Sequence, residues 1–196
     1  MNYPEYVKIG DKLYKINTDF RYAIECNRIA EDESISDLER ALAIIYTLFG
    51  EEGINTPDDY EKLLEKAQKY LLCGKELDTK ANEKPDMDFI EDMDYIEASF
   101  MSDYHMDLSN EKMHWWKFFN LMNGLSNSEL GNCCVLNRIR NLRNYDTSQI
   151  KDPKERRKVK EAKQQVALKK YNKKQPTKEQ QESARRFWEA LKGRKE

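Results

Sequence analysis

The stretch HWWKFFNLMNGL, residues 114–125, decides the fold, because it places two tryptophans and two phenylalanines side by side in a chain that is 36% charged. On a helical wheel with about 100° per residue, Trp115, Phe118, Phe119 and Met122 fall on one continuous apolar face. A stripe at this spacing is typical of a helix in the middle of a helical domain. We therefore expect Trp115, Phe118 and Met122 to belong to the hydrophobic core.

Two other features of this stretch need a separate explanation. Trp116 lies outside the core face, so it either covers a neighbouring element or takes part in a protein–protein contact, where tryptophan is enriched. Together with Phe119, it is a candidate partner-binding residue. His114 has no serine, cysteine or acid at a spacing that would orient it as a general base, so we expect a half-buried histidine bonded to a carbonyl.

The rest of the chain predicts a mainly α fold: a helical domain with a short N-terminal β-hairpin. Only seven glycines and five prolines are available for turns. In YVKIGDKLYKI, residues 6–16, Val7 and Ile9 alternate with a lysine, and Gly10-Asp11 supplies the turn. An isolated hairpin is marginally stable in water, so it should pack against the helices or against another chain.

Capping residues and helix breakers predict the limits of the helices. We expect a first helix capped by Thr18 and a second from the capping box Ser36–Glu39 to Gly50, with Leu38, Ile45 and Phe49 on its apolar stripe. A third helix should run from Thr56-Pro57 to Gly74, and a loop should follow over 75–87. After the loop we expect an amphipathic stripe of Phe89, Met93, Ile96 and Phe100, the tryptophan helix from Ser109 or Asn110 to Gly124, and a helix over 127–141.

A basic C-terminal helical extension, residues 151–196, is predicted to follow a domain of residues 1–150. Asp152-Pro153 starts a helix whose apolar stripe is too narrow for a core helix. This helix is therefore either a solvated strut or a surface that binds a partner.

A last helix is expected after the capping box formed by Thr177 and Gln180. Its apolar side chains recur at helical spacing and stand on a basic background. We therefore take Phe187, Trp188 and Leu191 as further candidate partner-binding residues.

The net charge of −2 conceals a polarised chain. Residues 1–116 carry 13 Lys/Arg and 27 Asp/Glu, whereas residues 117–196 carry 21 and 9. The two ends can neutralise each other within the fold or between the copies of a homo-oligomer, or the basic end can face nucleic acid. Composition alone leaves these alternatives open.

Several classes of protein are disfavoured by the sequence. No apolar run approaches the roughly 20 residues that span a bilayer, and the N-terminus lacks the layout of a secretion signal. The four cysteines have no metal-binding spacing and fit a reducing cytoplasm. The acidic segment DMDFIEDMD, residues 86–94, lacks the glycine and the final glutamate of a calcium loop. Because motifs for phosphate binding and nucleophilic catalysis are also missing, we predict no enzyme, no cofactor and no metal.

The order of the motifs carries a family resemblance. The series consists of VKIGDKLYKINTDFRYAI (7–24), DMDYIEASFMSDYHMDL (92–108), HWWKFFNLMNGL (114–125) and IKDPKERRKVKEAK (150–163). Over about residues 7–172 this chain resembles small bacteriophage proteins encoded in the tail modules of long-tailed phages and prophages of Gram-positive bacteria. The His-Trp-Trp-x-Phe core followed by Gly-Leu is its most specific part. The family has a proline after that Gly-Leu, where this chain has Ser126, and residues 177–196 resemble an added tail.

The resemblance implies a role without catalysis or cofactor. Proteins of this kind are regarded as tail-assembly chaperones that bind the long helical tape measure protein, help to recruit tail-tube subunits, and are absent from the finished virion. The resemblance therefore implies the host cytoplasm as the location. The alternative from the residues themselves is a nucleic-acid-associated phage protein that binds through the basic C-terminal helices.

Overall fold

The structure is a computed structural model that describes residues 3–76, 85–127 and 133–171. Within these residues lie a two-stranded antiparallel sheet and seven α-helices, which confirms the mainly α fold with an N-terminal hairpin. The chain divides into two compact units, Met1–Asn141 and Leu142–Glu196. The domain boundary chosen from the sequence stays a prediction.

The helices follow the hairpin in a simple succession. None of those in the described ranges is long and apolar enough to cross a bilayer. The helices are α1 (Phe20–Ala30), α2 (Asp37–Ile54), α3 (Tyr60–Leu71), α4 (Met93–Tyr104), α5 (Trp115–Asn123), α6 (Val135–Asn144) and α7 (Pro153–Gln165).

The hairpin pairs β1 (Tyr6–Ile9) with β2 (Lys12–Lys15) through a two-residue turn. Gly10 in the turn has a φ of 58°, a left-handed conformation that glycine adopts without steric cost. Val7 lies opposite Tyr14 in the ladder, and both side chains pack against the helical core. The hairpin thus gains the support that two strands alone lack.

Helix α1 is capped by Asp19 and not by Thr18, so that prediction is wrong. The Asp19 carboxylate accepts a hydrogen bond from the backbone N–H of Arg21 at 3.1 Å. The carbonyl of Thr18 instead accepts the backbone N–H of Trp115 at 2.8 Å. Pairing between the segments that precede α1 and α5 therefore fixes the start of both helices.

Helix α2 has the predicted capping box but a different end. The Ser36 hydroxyl accepts the Glu39 N–H, and the Glu39 carboxylate accepts the Ser36 N–H at 2.8 Å, which confirms the box. Gly50, predicted as the last residue, leaves the helical conformation at φ 64° and ψ −154°, and the helix then resumes as far as Ile54. The glycine produces a kink inside the element.

The tryptophan helix α5 begins after His114, not at Ser109 or Asn110. The carboxylate of Asp107 accepts a hydrogen bond from the Ser109 N–H at 3.0 Å and another from the Asn110 side chain at 2.6 Å. Both residues are therefore held in a turn before the helix, a local alternative to helical hydrogen bonding.

Two other helix starts differ from the prediction. The first turn after Thr56 is a short 3-10 helix, Pro57–Asp59, and α3 proper begins at Tyr60. Helix α6 starts at Val135 rather than near Asn127, because Asn127 forms an isolated β-bridge with Cys133.

The core is centred on α5, as the helical wheel predicts. Phe118 is fully buried between Phe20 of α1, at 4.5 Å between nearly parallel rings, and Phe100 of α4, at 5.2 Å. Trp115 and Met122 are buried on the same face, so the prediction for these three core residues is confirmed. One helix face thereby joins the helices on either side of it.

In the second unit, α7 is capped by the Asp152 carboxylate and has Pro153 at its first position, as predicted. None of its residues is buried. The guanidinium of Arg156 donates to the carbonyl of Ile150 and fixes the turn before the helix. The helix predicted after Thr177 lies outside the described residues.

Candidate partner-binding surface

Both tryptophans of α5 close the end of α3. The indole N–H of Trp115 donates to the carbonyl of Leu71 at 3.0 Å, and that of Trp116 donates to the carbonyl of Tyr70 at 2.9 Å. The last carbonyls of a helix have no partner within the helix, and the Trp115 bond supplies one to Leu71. The Tyr70 carbonyl also accepts the backbone N–H of Cys73 at 3.0 Å, so the Trp116 bond is a second one to that oxygen. Trp116 therefore covers a neighbouring element, and its role in a protein–protein contact stays a prediction.

His114 is the N-terminal cap of α5. Its Nδ1 accepts the backbone N–H of Trp116 at 3.0 Å, so Nε2 carries the proton and donates to the carbonyl of Pro4 at 3.0 Å. The ring of Tyr3 stacks on the imidazole with 4.9 Å between centroids. This confirms the expectation of a half-buried histidine bonded to a carbonyl, and its second nitrogen caps the helix.

Trp116 remains half-buried because one side of its ring borders an opening, which we name the Trp116 groove. The groove has a volume of about 160 Å³. Its floor and walls come from the N-terminal segment, the hairpin, α3 and α5, and it is lined by Pro4, Val7, Ile16, Lys66, Lys69, Tyr70, Gly74 and Trp116. An apolar opening beside a partly exposed tryptophan is typical of surfaces that bind another polypeptide.

Gly74 lets Trp116 approach the end of α3. A Cβ atom at position 74 would lie 3.2 Å from the Cη2 atom of Trp116, tighter than ordinary van der Waals contact. The residue also has a φ of 74°, which favours glycine. The sequence identifies Gly74 as a helix stop, but nothing in the sequence shows that it also faces Trp116.

Phe119 is half-buried and lies away from the residues that line the groove. Its ring is 5.6 Å from that of Trp115, and the ammonium group of Lys75 lies 5.2 Å from its centroid, within cation–π distance. Trp116 and Phe119 therefore belong to different surroundings. The other three candidates, Phe187, Trp188 and Leu191, lie outside the described residues.

Further apolar side chains are exposed on the hairpin and on α2. Leu13 is 59% exposed on the outer face of the hairpin. Leu38, expected on the core stripe of α2, is 67% exposed, and Tyr46 is 56% exposed. The predicted stripe is thus buried only in its later part, at Ile45 and Phe49, because the first two turns of α2 have no buried residue.

The acidic segment 86–94 uses its carboxylates within the fold. Asp88 accepts the backbone N–H groups of Ile90 and Glu91, and Asp86 accepts the Arg140 guanidinium at 3.0 Å. No group of three His, Cys, Asp or Glu side chains in the described ranges is arranged to hold a metal ion.

The cysteine nearest to the groove residues carries no activated thiol. Burial raises the pKa of Cys73 to about 11, and it raises the pKa of Cys26, on the buried face of α1, to about 12. Both thiols are protonated at neutral pH, and a protonated thiol is a poor nucleophile. The hydroxyl of Tyr70 is buried and has no hydrogen-bond partner among the described residues, and burial raises its pKa as well.

In the described residues, the architecture is that of a helical protein with an N-terminal hairpin and an open apolar groove beside Trp116. The chain belongs to the bacteriophage Gp15 protein family, whose family model matches residues 2–168. The expectation of a bacteriophage protein is thereby confirmed. Comparisons with curated proteins and with solved structures give no match.

Proposed function

We propose that this phage protein is a non-catalytic tail-assembly chaperone, which binds the tape measure protein, tail-tube subunits or both in the host cytoplasm and is absent from the finished virion. The observation that carries the proposal is the Trp116 groove on a member of a bacteriophage family. The motif series around His-Trp-Trp-x-Phe supports the tail-module assignment.

The distribution of apolar surface supports a holding role. Leu13, Leu38 and Tyr46 are each more than half exposed, in addition to the groove. A protein that binds a long amphipathic helix needs such apolar contact points on a polar surface. The charged residues on the rest of the surface keep the free chaperone soluble when no partner covers these apolar side chains.

Co-expression with the tape measure protein of the same phage tests the proposal. The tape measure protein should become soluble and co-purify with wild-type chaperone, and Trp116→Ala should reduce the recovered complex. Glu33→Ala, an exposed change in the loop between α1 and α2, is the control and should leave recovery unchanged. Equal solubility of the tape measure protein with and without the chaperone, and no complex, would contradict the proposal.

A second candidate function, nucleic-acid binding, is favoured by the surface of α7. The helix carries six Lys or Arg side chains in 13 residues and none of its residues is buried. Binding of duplex DNA or RNA that weakens steeply with added salt, and that is lost in Lys154→Glu/Lys158→Glu, would support this function. No binding of nucleic acid at low salt would contradict this function.

A further inference from the structure

The rim of the Trp116 groove is basic, although the surrounding part of the chain is acidic. Lys66 and Lys69 of α3 line the groove, and Lys62 precedes Lys66 by one turn on the same face. Neither Lys66 nor Lys69 forms an ion pair with any carboxylate of the described residues. Lys66 is half-buried and Lys69 is exposed, so two lysine side chains border the apolar opening without an ion-pair partner among the described residues.

The size of the groove fits one bulky apolar side chain. Its volume of about 160 Å³ is close to that of an engineered protein cavity of about 150 Å³ that binds benzene. Val7, Ile16 and the ring of Trp116 supply apolar walls. A phenylalanine or leucine side chain would bury its surface there, whereas a polar side chain would lose hydrogen bonds to water.

The charge of the rim favours an acidic occupant over a basic one. The segment 172–196 of this chain carries eight Lys/Arg and four Asp/Glu, so its basic character opposes the rim lysines. An acidic segment would be attracted to them, and in the low-dielectric surroundings of an apolar groove the attraction is stronger than in open water.

We propose that the Trp116 groove binds a segment of a partner protein in which one bulky apolar side chain is flanked by carboxylates. The apolar side chain occupies the groove, and the carboxylates pair with Lys66 and Lys69. This inference rests on the proposed function, since it specifies the chemistry of the partner segment that a holding protein recognises.

Synthetic peptides test the inference directly. The first heptapeptide has a central phenylalanine with three glutamates on each side, the second replaces the glutamates with lysines, and the third replaces the phenylalanine with alanine. Each is titrated to millimolar concentration into the full chain while the indole N–H resonance of Trp116 is followed by NMR. The acidic phenylalanine peptide should shift this resonance and bind at least about tenfold more tightly than either of the other two.

Variants of the rim supply the second comparison. Lys66→Glu/Lys69→Glu should weaken binding of the acidic peptide at least about tenfold and favour the basic peptide. Lys154→Glu/Lys158→Glu makes the same change of charge on α7 and should leave binding unaltered. If the reversal variant does not fold, Lys66→Gln/Lys69→Gln takes its place. No resonance shift at millimolar peptide, a preference for the basic peptide, or equal binding by the rim variant would each overturn the inference.

Failure of the inference about the groove can be distinguished from failure of the proposed chaperone function. If the tape measure protein co-purifies equally well with wild type and with the rim variant, the inference about the groove fails and the chaperone proposal stands. If no tape measure complex forms but the acidic peptide binds in the groove, the chaperone proposal fails and the chemistry of the groove is retained.

Discussion

Two adjacent tryptophans of α5 have different environments at the scale of single residues. Trp115 is 1% exposed and packs against Phe118, whereas Trp116 is half-buried and borders a groove. The helical wheel predicts this difference, because the two side chains point about 100° apart around the axis of α5. The hydrogen bonds of both indoles to α3 could not be predicted, because the two elements are separated by more than forty residues in the sequence.

This difference gives a prediction for alanine substitutions. Trp115→Ala should lower the free energy of unfolding by about 3–5 kcal/mol, because it leaves a cavity in the core. Trp116→Ala should cost less, since part of its ring is already in water. Urea denaturation followed by circular dichroism measures both, and Trp116→Phe separates the loss of the N–H bond to Tyr70 from the loss of the ring. Equal losses at the two positions would contradict the assignment.

Gly74 allows backbone strain and side-chain crowding to be separated. Gly10→Ala places a Cβ at positive φ in open space and should cost about 1–2 kcal/mol from strain alone. Gly74→Ala adds a contact at 3.2 Å to Trp116 and should cost more than Gly10→Ala. Thermal unfolding of both variants makes the comparison, and an equal loss would mean that the Trp116 ring moves aside freely.

At the scale of elements, a hydrogen bond joins the hairpin to the start of α3. The hydroxyl of Tyr14 donates to the Asp59 carboxylate at 2.6 Å. This bond lowers the pKa of Asp59 below its usual value; burial opposes the shift, and the charge of Lys12 adds to it. The contact forms between residues 45 positions apart, so local sequence patterns cannot reveal it.

The lowered pKa predicts a dependence of stability on pH. Because the folded state holds the Asp59 proton less tightly than the unfolded state, this contribution to stability is complete above the unfolded pKa of about 4. It is lost as the pH falls through the folded pKa. Asp59→Asn and Tyr14→Phe should both flatten the stability curve below about pH 4, as measured by urea denaturation across pH. Asp58→Asn, on an exposed neighbour, is the control, and an unchanged curve in Asp59→Asn would contradict the prediction.

The start of α5 shows where prediction of an element fails. Histidine is not among the residues that usually cap helices, and Ser109 and Asn110 are better candidates by that rule. In the structure Asp107 binds both of them, and pairing with the segment before α1 places the start at His114. Helical periodicity gives the buried face correctly, whereas the start depends on long-range contacts.

At the scale of the whole molecule, the main core of buried residues lies between Ile9 and Leu136. A truncated chain ending at residue 150 should therefore keep cooperative thermal unfolding with a Tm near that of the full chain. Truncation after Asn123 removes the buried side chains of Leu125 and Leu136 and should abolish cooperative unfolding. Differential scanning calorimetry measures both. Loss of cooperativity in the longer fragment would show that residues 151–196 are needed for the core.

The groove illustrates why a site is harder to predict than a fold. Its lining comes from four separate parts of the chain, among them Pro4, Ile16 and Lys66, and no short motif contains them. The sequence identifies Trp116 as exceptional because of its position on the wheel. The geometry that brings two lysines next to it requires the packed structure.

The half-buried indole at the edge of the groove also provides an optical reporter. Tryptophan fluorescence emission shifts to shorter wavelength when water leaves the ring. A ligand that covers Trp116 should therefore shift the emission maximum of the protein's intrinsic fluorescence. Trp115 is already shielded and would contribute a constant background. With Trp188 replaced by phenylalanine, occupancy of the groove becomes readable without any attached dye.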